Sequence, residues 1–321
     1  MPASDRDGLL LAGLDGSNPL GFLAAVGTLR IVSDASARIC MGWKRTPSGW
    51  RPVFTGCTGD PLEFCAAIRD SLQRLPANIF DIGKEWKNGK EHNKFPFSPE
   101  TLARELRRWQ RESSCADRRD VDFLAGLGTE LYPDKKKGEF QDTSFRMVRS
   151  GDSNRQGMLF YAKALRERID VDRIKRTLFH VWDYRDQGGY SLRWDPIEDQ
   201  RYALRWRDPG KSGPADGPGT MAVANVLAVE ALRCFPIVTI GKRAHTTAFR
   251  RGQKQQEFVW PIWTSMVAID TVRSMLALRS LLEAPLPRSS LLARGVVDVY
   301  RAERVRPNQY YFNFAPAQPI A

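Results

Sequence analysis

One stretch, residues 191–209, limits the possible folds more strongly than the rest of the chain. Leu-Arg-Trp-Asp-Pro at 192–196 is echoed by Leu-Arg-Trp-Arg-Asp-Pro at 204–209. Proline keeps the preceding residue out of the α region, so each Asp-Pro pair ends a segment. Between the pairs, larger apolar side chains alternate with basic or small ones: Tyr202, Leu204 and Trp206 against Arg201, Ala203, Arg205 and Arg207. This period of two predicts a strand with one packed and one cationic face.

A cationic strand face suits the phosphate backbone of a nucleic acid, and arginine and tryptophan can stack on unpaired bases. We therefore predict that this stretch binds nucleic acid through Arg193, Trp194, Arg201, Tyr202, Arg205, Trp206, Arg207 and Lys211. The alternative for the same pattern is a half-buried strand whose basic face contacts only water.

A second basic cluster follows between three predicted strands, over residues 235–240, 244–249 and 258–263. The connections and the strand ends carry the cluster: Lys242, Arg243, His245, Arg250, Arg251 and Lys254. From residue 191 to 254 the chain has eleven Lys and Arg against six Asp and Glu. This local surplus predicts that the C-terminal half contacts a polyanion.

The whole chain of 321 residues carries a formal net charge of +12, which favours nucleic acid first and an acidic membrane surface second. No apolar run reaches the roughly 18–20 residues that a membrane span needs. The N-terminal residues lack a signal-peptide core, so we expect a cytoplasmic protein without a membrane partner. The five cysteines are scattered and form no C-x-x-C pair, so we predict reduced thiols, no metal site and no cofactor.

Helix and strand signals follow one another without regular β-α-β alternation, which predicts an α+β fold with mostly antiparallel strands. Asn18 and Pro19 predict the start of a buried helix over residues 20–33. Pro261 predicts that its strand lies at a sheet edge, because proline cannot donate to a ladder. We expect two regions, residues 1–190 and residues 191–321 with the basic sheet face; one compact domain is the alternative.

Two sets of residues are candidates for catalysis. Asp195, Glu198 and Asp199 cluster and could hold a divalent metal, and His245 beside cations could act in RNA cleavage. Neither comes with the remaining groups that a nuclease site requires, so a metal- or histidine-dependent nuclease is the alternative hypothesis.

Four stretches together resemble one known family. They cover residues 14–25, residues 194–205, the Trp-Pro-Ile-Trp of 260–263, and residues 293–301. They are similar to a family of CRISPR-associated proteins of type I-G (formerly I-U) systems, a helicase-extension or large-subunit-like family. The resemblance implies a role in antiviral interference, within or attached to an RNA-guided surveillance complex. It carries over no catalytic residue.

The residues predict a nucleic-acid-binding protein without a catalytic site, and the resemblance implies that it is a non-enzymatic subunit or adaptor of a type I CRISPR effector. Its expected partners are guide RNA or target DNA, together with other effector subunits. A protein adaptor that recruits the helicase-nuclease is a further alternative, in which the basic surplus serves an acidic protein.

Overall fold

The computed structural model describes residues 8–75, 78–82, 84–87, 90–93, 95–112, 118–134, 138–148, 157–186, 190–198, 220–252, 255–307 and 311–320. The α-helices are α1 (Pro19–Ala35), α2 (Pro61–Arg74), α3 (Pro99–Glu112), α4 (Arg119–Leu127), α5 (Met158–Arg166), α6 (Val171–Phe179), α7 (Ala222–Ala231), α8 (Ile269–Leu276) and α9 (Arg288–Leu292). Short 3-10 helices cover Asn78–Asp81, Pro196–Glu198, Leu232–Cys234 and Arg279–Leu282.

The strands are β1 (Leu9–Leu10), β2 (Cys40–Thr46), β3 (Gly49–Thr55), β4 (Lys84–Lys87), β5 (Lys90–Asn93), β6 (Gly128–Asp134), β7 (Glu139–Asp142), β8 (Ile237–Ile240), β9 (Arg243–Thr246), β10 (Phe249–Arg251), β11 (Gln256–Trp263), β12 (Val296–Val305), β13 (Asn313–Phe314) and β14 (Gln318–Pro319). All pairings between these strands are antiparallel. The predicted α+β class is confirmed.

The first helix begins where the sequence predicts. The Asn18 side chain accepts hydrogen bonds from the backbone N–H groups of Leu20 (2.8 Å) and Gly21 (3.1 Å), and Pro19 needs no acceptor. Helix α1 is buried over nearly its whole length and packs along α7. A Cβ at Gly27 would stand 1.7 Å from the carbonyl oxygen of Leu227, so glycine permits this close contact.

Two main sheets flank these helices. One has the strand order β1-β3-β2, and the other runs β10-β11-β12-β13 with β14 also paired to β12. The prediction of an edge strand at Pro261 was wrong, because β11 lies between β10 and β12. Proline is tolerated because β10 pairs only with residues 256–258, so no described strand pairs on that side of Pro261.

Aromatic rings join the sheets and helix α1 in one core. Phe22 of α1 packs against Trp43, Trp260 and Trp263, with ring centroids 5.8 to 6.4 Å apart. The indole N–H of Trp260 donates to the carbonyl oxygen of Gly16 at 2.8 Å, so this buried polar group is satisfied. The core draws residues from both sides of position 190; the division into two regions stays a prediction.

A buried network of ion pairs joins helices α1, α4 and α7. Glu230 of α7, only 1% exposed, accepts from the Arg119 guanidinium at 2.8 and 3.3 Å and lies 3.6 Å from that of Arg233. Arg233 in turn donates to Asp34 of α1 at 2.7 Å. Burial raises the pKa of the Glu230 carboxyl, but the charges of Arg119, Arg233 and Arg166 outweigh burial and leave the pKa lowered. The network links three helices with charges that would be costly to leave unpaired.

Candidate nucleic-acid interface

Much of the repeat at residues 191–209 lies outside the described residues. Arg201, Tyr202, Arg205, Trp206, Arg207 and Lys211 all fall outside the described residues, and so do Lys254 and Asp199. Their predicted roles stay predictions. The first copy of the repeat is described up to Glu198, and it leads into the 3-10 helix Pro196–Glu198.

Trp194 does not fit its predicted role in stacking on bases. Its side chain is fully buried, and its indole N–H donates to the carbonyl oxygen of Phe145 at 2.9 Å. Its ring also meets the Phe145 ring edge-on, with centroids 6.0 Å apart. A base could reach Trp194 only by opening the core, so we correct this assignment: Trp194 is a packing residue.

Arg193 takes part in a separate contact with the C-terminal segment. Its guanidinium lies 3.6 Å from the centroid of the Tyr311 ring, within cation–π distance, and 3.5 Å from Oδ1 of Asn313. Its backbone has φ = +59°, a conformation that non-glycine residues seldom adopt. The structure therefore assigns Arg193 a contact within the protein, and it does not line the groove described next.

The structure does bring the second basic cluster together. A groove of about 410 Å³ lies between the β8–β9 hairpin and the β10–β11 hairpin. Four of the predicted residues line it: Arg243, His245, Arg250 and Arg251. Lys242 is exposed in the turn that joins β8 to β9, beside Gly241 with φ = +61°. We call this feature the interhairpin groove.

The β8–β9 hairpin presents an outer face that is both cationic and apolar. Val238 pairs with His245 and Ile240 with Arg243, and residues paired across antiparallel strands point to the same side. Val238 is 47% and Ile240 is 62% exposed, which is unusual for such side chains. The face therefore combines positive charge with apolar area that a base or sugar could cover.

The opposite face of this hairpin is fastened to the protein body. The hydroxyl of Thr246, a buried residue, accepts a hydrogen bond from the backbone N–H of Ser144 at 2.8 Å. The backbone N–H of Ala244 donates to the side-chain oxygen of Gln141, also at 2.8 Å. These bonds hold the hairpin in place, so its exposed cations project from a supported element.

Arg250 has a different role from its neighbours. Its Nε donates to Glu257 at 2.7 Å and its Nη1 to the carbonyl oxygen of Glu283 at 3.0 Å. Glu257 also accepts from Arg301 at 2.7 Å. Glu257 is thus shared by two arginines, and Arg250 supports the groove through this mostly buried ion pair. Its predicted contact with phosphate stays a prediction. Arg251 beside it is exposed.

Two further arginines, which the sequence argument missed, extend the basic surface. Arg304 of β12 donates to Oε1 of Gln256, a groove residue, at 3.3 Å, and its guanidinium lies 3.7 Å from the centroid of Phe312. Arg306 is exposed and 5.8 Å from the same ring. In the sequence, the signal that could have identified them is that both arginines closely precede a segment rich in aromatic residues. Only the pairing of β11 with β12 places Arg304 beside the groove residue Gln256.

Asp195, one of the three acidic candidates for a metal site, already has both carboxylate oxygens occupied by hydrogen bonds. Oδ1 of Asp195 accepts from the Asn18 amide at 3.2 Å and from the backbone N–H of Ile197 at 3.1 Å, and Oδ2 accepts from the Tyr184 hydroxyl at 3.0 Å. Burial raises the pKa of this carboxyl, although the three hydrogen bonds oppose the shift. Asp195 is therefore a structural group that fixes the loop before the 3-10 helix to the start of α1.

No set of three or more His, Cys, Asp or Glu side chains in the described ranges lies close enough to hold a metal ion. Within the same ranges, no helix has both the length and the apolar character for crossing a membrane. Models of known protein families give no match to this chain, and neither do the curated proteins. The chemistry of the interhairpin groove is therefore the basis for a proposed function.

Proposed function

We propose that this protein is a non-enzymatic nucleic-acid-binding subunit of a type I CRISPR RNA-guided effector complex, acting in the cytoplasm. The resemblance of four sequence stretches to the type I-G family supplies the biological setting. In such complexes base pairing reads the sequence, while protein subunits hold backbones by shape and charge. The proposed ligand is guide RNA or target DNA, held at the interhairpin groove.

One observation carries the proposal: exposed cations from two separate hairpins converge on one groove. Arg243 of one hairpin and Arg251 of the other line the groove, and Lys242 is exposed in the turn next to Arg243. No ion pair joins any of the three to another part of the described chain. Cations that serve only solubility have no reason to converge in this way. Phosphates along a backbone need several cations from one side, which this arrangement offers.

The apolar part of the groove rim adds a second kind of contact. Val238 and Ile240 expose area next to His245 and Arg243, so a sugar or an unstacked base could cover it while the cations hold phosphates. This combination favours a single-stranded ligand over a duplex, whose bases are stacked inside.

The test is the salt dependence of binding to single-stranded RNA and DNA by the wild type and by a Lys242→Ala/Arg243→Ala variant. Binding to single strands weakens with salt by about 0.7 log units per log unit for each phosphate contacted. If both cations contact phosphates, the variant should lose about 1.4 from the slope of log affinity against log salt. Extrapolated from 1 M to 0.15 M salt, that slope corresponds to roughly 15-fold weaker binding.

The matched control is Arg38→Ala/Lys44→Ala, which removes the same charges from exposed positions away from the groove. It should change affinity through net charge alone and leave the slope within about 0.3 of the wild type. Equal slopes for the two variants would contradict the groove as the binding surface. Incubation of labelled RNA and DNA with magnesium or manganese tests the nuclease alternative, because cleavage that disappears in His245→Ala would make the protein an enzyme.

A further inference from the structure

A second basic cavity lies beside α6 and the N-terminal end of α7, and it shares no residue with the interhairpin groove. Its volume is about 440 Å³. Four arginines line it, with one aspartate and one alanine at the helix start: Arg168, Arg173, Arg176, Arg185, Asp186 and Ala222. We call it the arginine cavity. None of its residues belongs to the predicted nucleic-acid-binding set.

Local structure explains why these arginines converge. Arg173 and Arg176 are three residues apart on α6, so they point to one side of the helix. Asp170 caps this helix by accepting from the backbone N–H of Arg173 at 2.7 Å, which fixes where the helix begins. Beyond the helix, the backbone N–H of Thr220 donates to the carbonyl oxygen of Asp186 at 3.2 Å and brings the neighbouring Arg185 to the start of α7.

The acidic groups described near the cavity occupy only part of the hydrogen-bond donors of these arginines. Asp186 is occupied, because it accepts from the backbone N–H of Ala222 at 2.9 Å and pairs with Arg176. Asp183 lies 3.9 Å from Arg176 and 3.8 Å from Arg185, and Asp170 lies 3.4 Å from Arg173. These three separations exceed the roughly 2.7–2.9 Å of direct charge-assisted hydrogen bonds. The guanidiniums of Arg173, Arg176 and Arg185 therefore keep part of their donor capacity for a ligand.

Two of the arginines are also held in position. Nη1 of Arg173 donates to the carbonyl oxygen of Arg168 at 2.8 Å. The Arg168 guanidinium lies 5.0 Å from the centroid of the Tyr190 ring. Side chains that are already ordered lose less conformational entropy when a ligand binds.

We propose that the arginine cavity is a phosphate-binding site. Arginine presents its N–H donors in a planar fork that matches two oxygens of a phosphate group, and four such forks around one cavity select a multiply charged oxyanion. The phosphate belongs either to a nucleic-acid chain or to a small phosphorylated molecule, and both present the same chemistry to the cavity.

The test is isothermal titration calorimetry of the full chain with pyrophosphate and, separately, with a short single-stranded DNA. The variant is Arg173→Ala/Arg185→Ala, because the Arg185 side chain is 81% and that of Arg173 is 40% exposed, so their loss should spare the core. The control is Arg104→Ala/Arg107→Ala, which removes the same charge from exposed positions on α3. We expect at least about a tenfold loss of pyrophosphate affinity in the variant and less than about twofold in the control.

If the cavity variant loses affinity for both ligands, a free phosphate is enough to occupy the site. If it loses affinity for DNA alone, the phosphate that binds belongs to a nucleic-acid backbone. Either result supports the site. Wild-type affinity of the cavity variant for both ligands would overturn the proposal. Should the alanine variant fail to fold, Arg173→Lys/Arg185→Lys keeps the charge and removes the planar fork, and it should still bind pyrophosphate more weakly. The Lys242→Ala/Arg243→Ala variant should retain pyrophosphate binding, so this site and the interhairpin groove can fail independently.

Discussion

Replacing Glu230 with glutamine tests how much the buried ion network contributes to folding. Glu230 is 1% exposed and is the acid shared by Arg119 at 2.8 Å and Arg233 at 3.6 Å. Glutamine has the same shape and keeps an oxygen for Arg119, but it leaves two buried guanidiniums without this compensating charge. Asp34 still pairs with Arg233 and Asp120 with Arg119, so part of the compensation survives.

Removing one partner of a buried ion pair costs roughly 3–5 kcal/mol. Because the oxygen and two other acids remain, we expect the lower end for Glu230→Gln, about 3 kcal/mol in the free energy of unfolding. The pKa of Glu230 is lowered from its ordinary 4.5. The charge therefore contributes stability that is fully present above pH 4.5 and is lost as the pH falls through the folded-state pKa.

The measurement is urea unfolding followed by tryptophan fluorescence and circular dichroism at several pH values. The difference between wild type and Glu230→Gln should be constant near neutral pH and shrink below pH 4.5, because the carboxyl is protonated first in the unfolded chain and only at lower pH in the folded protein. The control is Glu283→Gln, an exposed position that should change stability by less than about 0.5 kcal/mol. A difference below about 1 kcal/mol at pH 7, or one that does not depend on pH, would refute the role assigned to the network.

Two other changes test the packing of α1 and the buried carboxyl that contacts its N-cap residue. Gly27→Ala should cost at least about 1–3 kcal/mol by the same urea measurement, because the new Cβ would meet the backbone of Leu227 at 1.7 Å; Gly59→Ala, with nothing within 4 Å, is the control, and equal effects would contradict the close helix contact. Asp195→Asn should raise the melting temperature at pH 7, because asparagine removes a buried charge whose pKa burial raises, while its amide can donate to the Tyr184 hydroxyl. Since the wild-type carboxyl is neutral at low pH, the gain should vanish as the pH falls toward 3.8; a lower melting temperature at pH 7 would show that the charge stabilises the fold.

Local signals in the sequence were sufficient for much of the secondary structure. Asn18 and Pro19 predicted the start of α1, since capping depends only on neighbours in the chain. The basic cluster from Lys242 to Arg251 was likewise visible as a run of charges. The sequence did not show that residues of this cluster line one groove, because the position of the β8–β9 hairpin depends on its hydrogen bonds with Gln141 and Ser144.

The sequence is sufficient for predicting the α+β class, the start of α1 and the basic character of the C-terminal half. These follow from side-chain periodicity, capping and charge, which act over a few residues. Contacts between distant parts of the chain were needed to show that Trp194 is a packing residue and that Arg250 is an internal ion-pair partner. An aromatic or a cationic side chain has the same local pattern in either role. Its role is fixed by distant partners, here Phe145 for Trp194 and Glu257 and Glu283 for Arg250.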